Sequence, residues 1–129
     1  QGGYKVQGKG LDDARRMLAE GKALEEAGAF GLLVECIPDT LAEVLTESLE
    51  IPTVGIGAGV HCDGQVLVTH DLLGMFDKFT PKFVKKYADL SPVITQCITQ
   101  FDREVKEGSY PGPEHSFTSS NEYRQLLDE

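Results

Sequence analysis

The sequence predicts an α/β fold whose strands are parallel. Apolar runs with the length of a strand alternate with segments of helical periodicity, and short connections join them, as in βαβ units. Strands are expected at 30–38, 53–56 and 65–69, with a doubtful one at 2–8. Helices are expected at 11–28, from Pro38 to just before Pro52, at 82–90 and at 92–107. These strands suffice for half of an eight-stranded barrel or for a small open sheet. A complete barrel needs about 250 residues, and this chain has 129.

Local signals mark where the first two helices begin and end. Gly28 follows the last apolar position of the first helix and suits a C-cap, because glycine readily adopts positive φ. Pro38 is favourable in the first turn of the second helix, and Thr40 and Glu43 have the spacing of a capping box. Gly21, inside the first helix, is expected to permit close packing against a strand.

The segment 92–107 is predicted as the last long helix, which Gly108 ends. Its apolar positions, all expected to be buried, are Ile94, Cys97, Ile98, Phe101 and Val105. Residues 1–107 are assigned to one half-barrel domain that includes this helix. The polar residues 108–129 are assigned to a C-terminal tail, in which 121–127 is expected to add a weak helical turn.

The composition is that of an ordinary globular protein, with 40% hydrophobic and 26% charged residues. A formal net charge of −9 argues against nucleic acid as a partner, because phosphate binding needs a basic surface. No apolar run approaches the roughly 20 residues of a membrane span. The chain begins with Gln1 rather than Met and shows no signal peptide, so further sequence upstream is expected.

The three cysteines, Cys36, Cys62 and Cys97, are an odd number and lack the spacing of a metal site. This pattern favours a reducing compartment without a disulfide framework, which is the cytoplasm, or the mitochondrion if the source is eukaryotic. Cys36 and Cys97 stand among apolar residues and are expected to be core thiols.

Glu35 is the strongest candidate for a functional residue, because it is the one carboxylate in the apolar run 30–38. Side chains near the carboxyl end of a parallel strand commonly meet ligand. Burial among apolar residues would raise the pKa of this carboxyl, which suits a general base that removes a proton from carbon. The structural alternative is a carboxylate paired with a Lys or Arg of a neighbouring strand. The spacing alone leaves both interpretations open.

Four other features have a structural interpretation beside a functional one. The glycines of 55–59 either approach a ligand or form a tight turn, and their spacing matches neither a dinucleotide fingerprint nor a P-loop. The His-Cys-Asp sequence at 61–63 suggests a metal site, although adjacent side chains do not easily face one ion. His70 and Asp71 form either a dyad or a pair that orders the following loop. His115 has no evident partner and is expected at the surface.

Motifs in a characteristic order run along most of the chain. They are Gly-Tyr-Lys-Val-Gln-Gly at 3–8, Leu-Val-Glu-Cys-Ile-Pro at 33–38, Pro-Thr-Val-Gly-Ile-Gly-Ala-Gly at 52–59, Asp-Gly-Gln-Val-Leu-Val at 63–68, His-Asp at 70–71, Phe-Val-Lys at 83–85 and Tyr-Pro-Gly-Pro-Glu-His-Ser-Phe at 110–117. Together they resemble the ketopantoate hydroxymethyltransferase family. The resemblance extends from residue 3 to about residue 117, and 118–129 look like an extension without a counterpart in the family.

The resemblance implies a (β/α)₈ TIM barrel of the phosphoenolpyruvate/pyruvate type, assembled as a homodecamer. It implies transfer of a hydroxymethyl group from 5,10-methylenetetrahydrofolate to α-ketoisovalerate (3-methyl-2-oxobutanoate), which gives ketopantoate for pantothenate biosynthesis. In the family the oxo acid chelates Mg²⁺, and a glutamate removes the proton at C3 to give an enolate. The residue that matches this glutamate is Glu35.

The resemblance covers one half of such a barrel. The family's Mg²⁺-binding carboxylates, and the Ser and Lys that contact the oxo acid, belong to its N-terminal half. Only Glu35 is therefore assigned as catalytic, and no metal ligand or cofactor-binding residue is assigned. The chain is expected to need the N-terminal half for activity. The alternatives are a non-catalytic half-barrel assembly module and another 2-oxo-acid enzyme of the same superfamily, such as a lyase; His70, Asp71 and the glycines at 57–59 receive no role.

Overall fold

The computed structural model describes residues 5–76, 78–117 and 121–127. The chain divides into two compact units, Gln1–Asp89 and Leu90–Glu129. The first unit contains the helices α1 (Leu11–Glu26), α2 (Asp39–Ser48) and α3 (Thr69–Leu72) and the strands β1 (Leu32–Glu35), β2 (Thr53–Ile56) and β3 (Gly64–Gln65). The second unit contains α4 (Ser91–Glu107) and two 3₁₀ helices, Pro113–His115 and Asn121–Leu127.

The three strands form one parallel sheet in the order β1-β2-β3. Helix α2 is the crossover between β1 and β2, as parallel pairing requires. Leu33 lies beside Val54 and Glu35 beside Ile56, so β1 and β2 end at the same edge of the sheet. The prediction of an α/β fold with parallel strands is thus confirmed.

The hydrophobic core lies where α1 and α2 pack against one face of the sheet. Its buried members are Val34, Ile37, Leu41, Ala42, Leu45, Ala58 and Cys62, and Ala14, Met17, Leu18 and Leu32 pack against them. Gly21 of α1 is buried, and a Cβ there would lie 3.4 Å from Leu45 Cδ2 and 3.6 Å from Leu32 Cδ2. A side chain at this position would make only ordinary van der Waals contacts, so the structure does not bear out the prediction that close packing against a strand requires the glycine.

A hydrogen-bond network joins α2, β2 and the loop before β3. Thr53, which is 0% exposed, shares a hydrogen bond of 2.7 Å with the Thr46 hydroxyl. The Asp63 carboxylate accepts hydrogen bonds from the Thr53 N–H at 2.8 Å and from the Thr53 hydroxyl at 3.2 Å. A hydroxyl removed from water needs such partners, so the network makes a threonine acceptable on the covered face of the sheet.

The connection between β2 and β3 contains no helix. Residues 57–63 carry the chain back to the start of β3, although a parallel crossover usually takes about a dozen residues or more. Positive φ angles of 62° at Gly57 and 79° at Gly59 make the reversal tight, and glycine adopts them without strain. Ala58 and Cys62 occupy the core in this connection.

Two predicted elements of the first unit are wrong. The strand expected at 65–69 is limited to Gly64–Gln65, because β2 ends at Ile56 and provides no further edge for pairing. The helix expected at 82–90 is absent, and the Tyr87 N–H instead donates to the Leu72 carbonyl at 2.8 Å. This tertiary hydrogen bond draws the segment along α3 and overrides a weak helical periodicity.

The start of the chain and of α2 also differ from expectation. Residues 5–8 form no strand, and residues 2–4 lie outside the described part of the chain. The capping box is wrong, because α2 already begins at Asp39, whose Oδ1 accepts a hydrogen bond of 2.8 Å from the Thr40 N–H. Pro38 occupies the N-cap position, and among the described residues no side chain caps the start of α2.

In the second unit, α4 is ended by Gly108 at a φ of 73°, as predicted. The expected burial of its apolar positions is wrong, because Ile98 and Phe101 are 63% and 55% exposed and Cys97 is also exposed. The described part of this unit offers no second layer against which the helix could pack. Among the described residues, none of the helices combines the length and the apolar composition needed to cross a membrane.

Candidate functional site

The sheet has one covered face and one open face. Val34 of β1 packs into the core, whereas its neighbours Leu33 and Glu35 are exposed on the other side. Val54 and Ile56 lie beside them in β2 and are only partly buried. We call Leu33, Glu35, Val54 and Ile56 the open sheet face. It combines three apolar side chains with one carboxylate at the carboxyl end of a strand.

The expected burial of Glu35 is wrong for this chain, because the residue is exposed. Successive side chains of a strand face opposite sides, so the residue after buried Val34 faces the side that the helices do not cover. The structural alternative finds no support either. Among the described residues, no Lys or Arg forms an ion pair with Glu35. Its role as a base stays a prediction.

Cys36 turns the chain sharply at the end of β1. Its φ of 53° lies in the left-handed region, which non-glycine residues adopt rarely and often at functional sites. The Cys36 N–H donates to the Ile56 carbonyl at 2.9 Å, and its carbonyl accepts from the Gln7 N–H at 2.8 Å. The strained residue is therefore held on both sides, directly after Glu35.

The Cys36 thiol is buried, as predicted. Burial raises the pKa of this thiol above its ordinary value, and the neighbouring Glu35 carboxylate raises it further. Both effects disfavour the thiolate, which loses hydration on burial and is repelled by a negative charge. The raised pKa makes Cys36 a poor nucleophile at neutral pH.

Alkylation should distinguish the cysteines of the folded chain. With iodoacetamide at pH about 8, near the ordinary pKa of a thiol, we expect exposed Cys97 to be modified first. Cys36 should lag behind and need a more alkaline solution, because a raised pKa leaves less thiolate at any given pH. Peptide mass spectrometry over time measures both rates. In urea the two rates should converge, and equal rates in the folded chain would contradict the raised pKa of Cys36.

A cleft of about 930 Å³ opens at the carboxyl ends of the strands. Its walls include Cys36 after β1, Gly57 and Gly59 after β2, and the segment 79–83. Glu35 is not a wall residue but immediately precedes one. The segment 79–83 was not expected at a site, because a helix was predicted over 82–90. The sequence did offer one signal for this segment. Pro81 stands between Phe79 and Phe83, and two aromatic rings in an irregular segment are able to cover a glycine loop such as 57–59.

The loop 61–63 does not bring its polar side chains together. His61 Nδ1 lies 3.4 Å from Glu43 Oε1, Cys62 is buried, and Asp63 binds Thr53. Within the described residues, no group of three or more His, Cys, Asp or Glu side chains is placed to hold a metal ion.

The remaining histidines, His70 and His115, lie among residues close to them in sequence. His70 and Asp71 lie on the short helix α3, and no hydrogen bond or ion pair joins their side chains within the described part of the chain. His115 has contacts that the sequence did not indicate, since its ring centroid lies 5.3 Å from that of Tyr110 and its Nδ1 lies 3.4 Å from Glu114 Oε1. None of these histidines lines the cleft.

Comparison with known proteins identifies one family. The family model described as ketopantoate hydroxymethyltransferase matches residues 1–113. The chain is 58% identical to a 3-methyl-2-oxobutanoate hydroxymethyltransferase of Desulfotalea psychrophila, over 98% of this chain and 45% of that protein. It is 57% identical to the protein of that name from Carboxydothermus hydrogenoformans, over 98% and 46%. It is 51% identical to the protein of that name from Enterococcus faecalis, over 98% of this chain and 46% of that protein.

The chain spans about half the length of these relatives. Their alignments cover 98% of the chain, so most of 118–129, which was expected to lack a counterpart, matches these three relatives, although the family model ends at residue 113. A polar tail contains few distinctive motifs, so motifs alone do not reveal its similarity to relatives, whereas an alignment of the continuous sequence does.

Proposed function

Since the chain belongs to the ketopantoate hydroxymethyltransferase family, we propose that it is the C-terminal half of a (β/α)₈ TIM barrel of the phosphoenolpyruvate/pyruvate type. The complete barrel transfers a hydroxymethyl group from 5,10-methylenetetrahydrofolate to α-ketoisovalerate and forms ketopantoate for pantothenate biosynthesis. The proposed assembly is a homodecamer in the cytoplasm, or in the mitochondrion if the source is eukaryotic. The proposed domain is 1–107, with 108–129 as its tail.

The open sheet face is the observation that carries this proposal. A barrel interior is filled by side chains that alternate with those facing the outer helices. In this chain the helix-facing side is packed, while Leu33 is 60% exposed on the other side. A parallel sheet is normally covered on both faces. A second half-barrel, contributed by sequence that matches the rest of the relatives, would supply the missing cover.

Glu35 is the proposed general base. It ends β1 on the face that would become the barrel interior, which is where catalytic residues of barrels lie. Closing the barrel would exclude water from this carboxylate and place it beside the oxo acid. There its oxygen would accept the proton from C3 and leave an enolate. The enolate carbon would bond to the one-carbon unit, whose bonds to the folate nitrogens break, so that tetrahydrofolate leaves and water supplies the hydroxyl oxygen. Ile56, the neighbour of Glu35 in β2, would limit access of water on one side.

The described residues do not fit the Mg²⁺ ion that the family resemblance implies. Magnesium is bound by oxygen ligands in near-octahedral geometry, and no cluster of acidic side chains is placed for this within the described part of the chain. The ion would therefore need ligands other than these described residues. The chemistry assigned to the chain itself is proton transfer at Glu35.

Reassembly from two halves tests the proposed function. The portion of the Desulfotalea psychrophila relative that this chain does not match would be produced together with the chain as the proposed N-terminal half. We expect ketopantoate formation with the two halves together. The chain alone should show neither turnover nor tight stoichiometric Mg²⁺ binding by calorimetry. Absence of activity in a stable two-half complex would overturn the proposal.

A pair of variants shows whether reassembly uses the open sheet face. Leu33→Asp places a charge on this face and should prevent both association and activity, because burying an unpaired carboxylate costs several kcal/mol or more. Leu24→Asp makes the same change on α1, where Leu24 is 49% exposed, and should leave both intact. Association without activity in the unmodified pair would instead favour the non-catalytic assembly module.

A further inference from the structure

The turn at Cys36 interrupts the alternation of side chains along β1. In a regular strand successive side chains face opposite sides, so Ile37 would share the open sheet face with Glu35. Ile37 is instead 3% exposed and belongs to the hydrophobic core. The positive φ of 53° at Cys36 lies between these two residues and accounts for the change of side. Glu35 is therefore the last side chain of β1 on the open sheet face.

Backbone hydrogen bonds hold this turn from two neighbouring segments. Glu35 lies beside Ile56 in the parallel register, and the Cys36 N–H continues the ladder by donating to the Ile56 carbonyl at 2.9 Å. On the other side, the Cys36 carbonyl accepts from the Gln7 N–H at 2.8 Å. The peptide groups before and after the Cys36 Cα are thus both bound, which limits the movement of the backbone that carries Glu35.

The residues after Cys36 are restricted as well. Pro38 has a φ of −57°, close to the value that its ring imposes. A residue before proline, here Ile37, is confined mainly to extended conformations, and α2 begins directly afterwards at Asp39. Residue 36 is therefore the position at which the direction of the chain between β1 and α2 is set.

Cysteine is an unusual residue at this position. Among the described residues, Cys36 is the one non-glycine residue with positive φ, and glycine adopts this region without strain. A Cβ makes the left-handed region costly, but it also excludes most of the other conformations that glycine would allow. Strained residues of this kind cluster at active sites, where the surrounding structure imposes them.

The Cys36 thiol does not explain the choice of residue. Burial, followed by the charge of the Glu35 carboxylate, raises the pKa of this thiol. The thiol therefore stays protonated at neutral pH and places no second negative charge beside the carboxylate. The contribution of Cys36 is its backbone conformation.

We propose that Cys36 is a positioning residue, whose left-handed backbone, restricted by its Cβ, holds the Glu35 carboxylate in the orientation needed to take the C3 proton. This inference rests on the proposed function, in which Glu35 is the base. A general base must lie within hydrogen-bonding distance of the proton that it removes. A displacement of about 1 Å is enough to lower a rate by about 100-fold, so restriction of the backbone beside Glu35 has a direct effect on the reaction.

Two substitutions at residue 36 separate the backbone from the thiol. Cys36→Ala lacks the thiol but keeps the Cβ, whereas Cys36→Gly lacks both. In the barrel reassembled from two halves, Cys36→Gly should lower the maximal rate of C3 proton exchange by about 10- to 100-fold. The α-ketoisovalerate concentration at half-saturation should not change. Cys36→Ala, the conservative variant, should keep most of the rate.

Stability should change in the opposite sense to activity. Because glycine accepts a positive φ without strain, the Cys36→Gly chain should unfold at a urea concentration no lower than that of Cys36→Ala. A purely structural role would move stability and activity together. The proposal is overturned if the two variants exchange the proton at the same rate, or if Cys36→Gly is the faster.

Amide relaxation measured by NMR tests the restriction in the full chain without the other half. The order parameters of the N–H groups of residues 35 and 36 should be about 0.85 in the unmodified chain and in Cys36→Ala, and should fall toward about 0.6 in Cys36→Gly. Equal order parameters in all three chains would also overturn the proposal. Absence of proton exchange in the unmodified reassembled pair would count against the proposed function, while the order parameters would still decide whether residue 36 restricts Glu35.

Discussion

Replacing Glu35 by Gln in the reassembled barrel is expected to lower the rate of ketopantoate formation by about 10²- to 10⁴-fold, the range for loss of a general base. The substitution keeps the shape of the side chain but removes its capacity to accept the C3 proton. Exchange of the C3 proton of α-ketoisovalerate with deuterium from solvent should fall by a similar factor. Proton NMR of the oxo acid measures this exchange without the folate.

Glu47→Gln is the matched control for this experiment. Glu47 is exposed on α2, away from the strand ends. Its replacement by Gln removes the same charge, so the pair that carries this variant should be as active as the unmodified pair. Size-exclusion chromatography with light scattering should show the same assembly for both variants. If the Glu35 variant retains most of the proton exchange, another group takes the proton and the assignment of Glu35 is wrong.

Replacing Leu45 by Ala is expected to destabilise the chain by about 2–5 kcal/mol, the usual range for a leucine truncated in a core. Leu45 is 2% exposed and lies where α1, α2 and the sheet meet. The free energy of unfolding of a small domain is roughly 5–15 kcal/mol in total, so this substitution removes a large part of it. Urea unfolding followed by circular dichroism measures the free energy of unfolding.

Val44→Ala tests whether this effect belongs to the core. Val44 precedes Leu45 on the same helix but is 45% exposed, and its truncation should change the free energy of unfolding by no more than about 0.5 kcal/mol. Similar losses for the two variants would mean that α2 packs through a different face.

Local sequence signals were sufficient for the framework of the first unit. The apolar periodicity of α1 and α2, and the short apolar runs of β1 and β2, depend mainly on neighbours in sequence. Gly108 was correctly identified as the end of α4, because glycine readily adopts the positive φ that is common at helix C-termini.

Elements that depend on a partner were predicted less well. The length of β3 follows from where β2 ends, and the segment 82–90 follows the hydrogen bond between Tyr87 and Leu72. The apolar stripe of α4 satisfies every sequence criterion for burial and is nevertheless exposed. Periodicity shows that a face is able to be buried, but only a neighbouring surface buries it.

Motif spacing and local periodicity were enough to predict the parallel α/β order of elements, the family of the chain and the position of Glu35 at the end of a strand. The side of the sheet that Glu35 faces depends on tertiary packing, since strand alternation must be combined with the placement of the helices. The same holds for the position of 79–83 beside the glycine turn. These properties arise from segments distant in sequence that meet at the strand ends, where no local pattern specifies which groups will be neighbours.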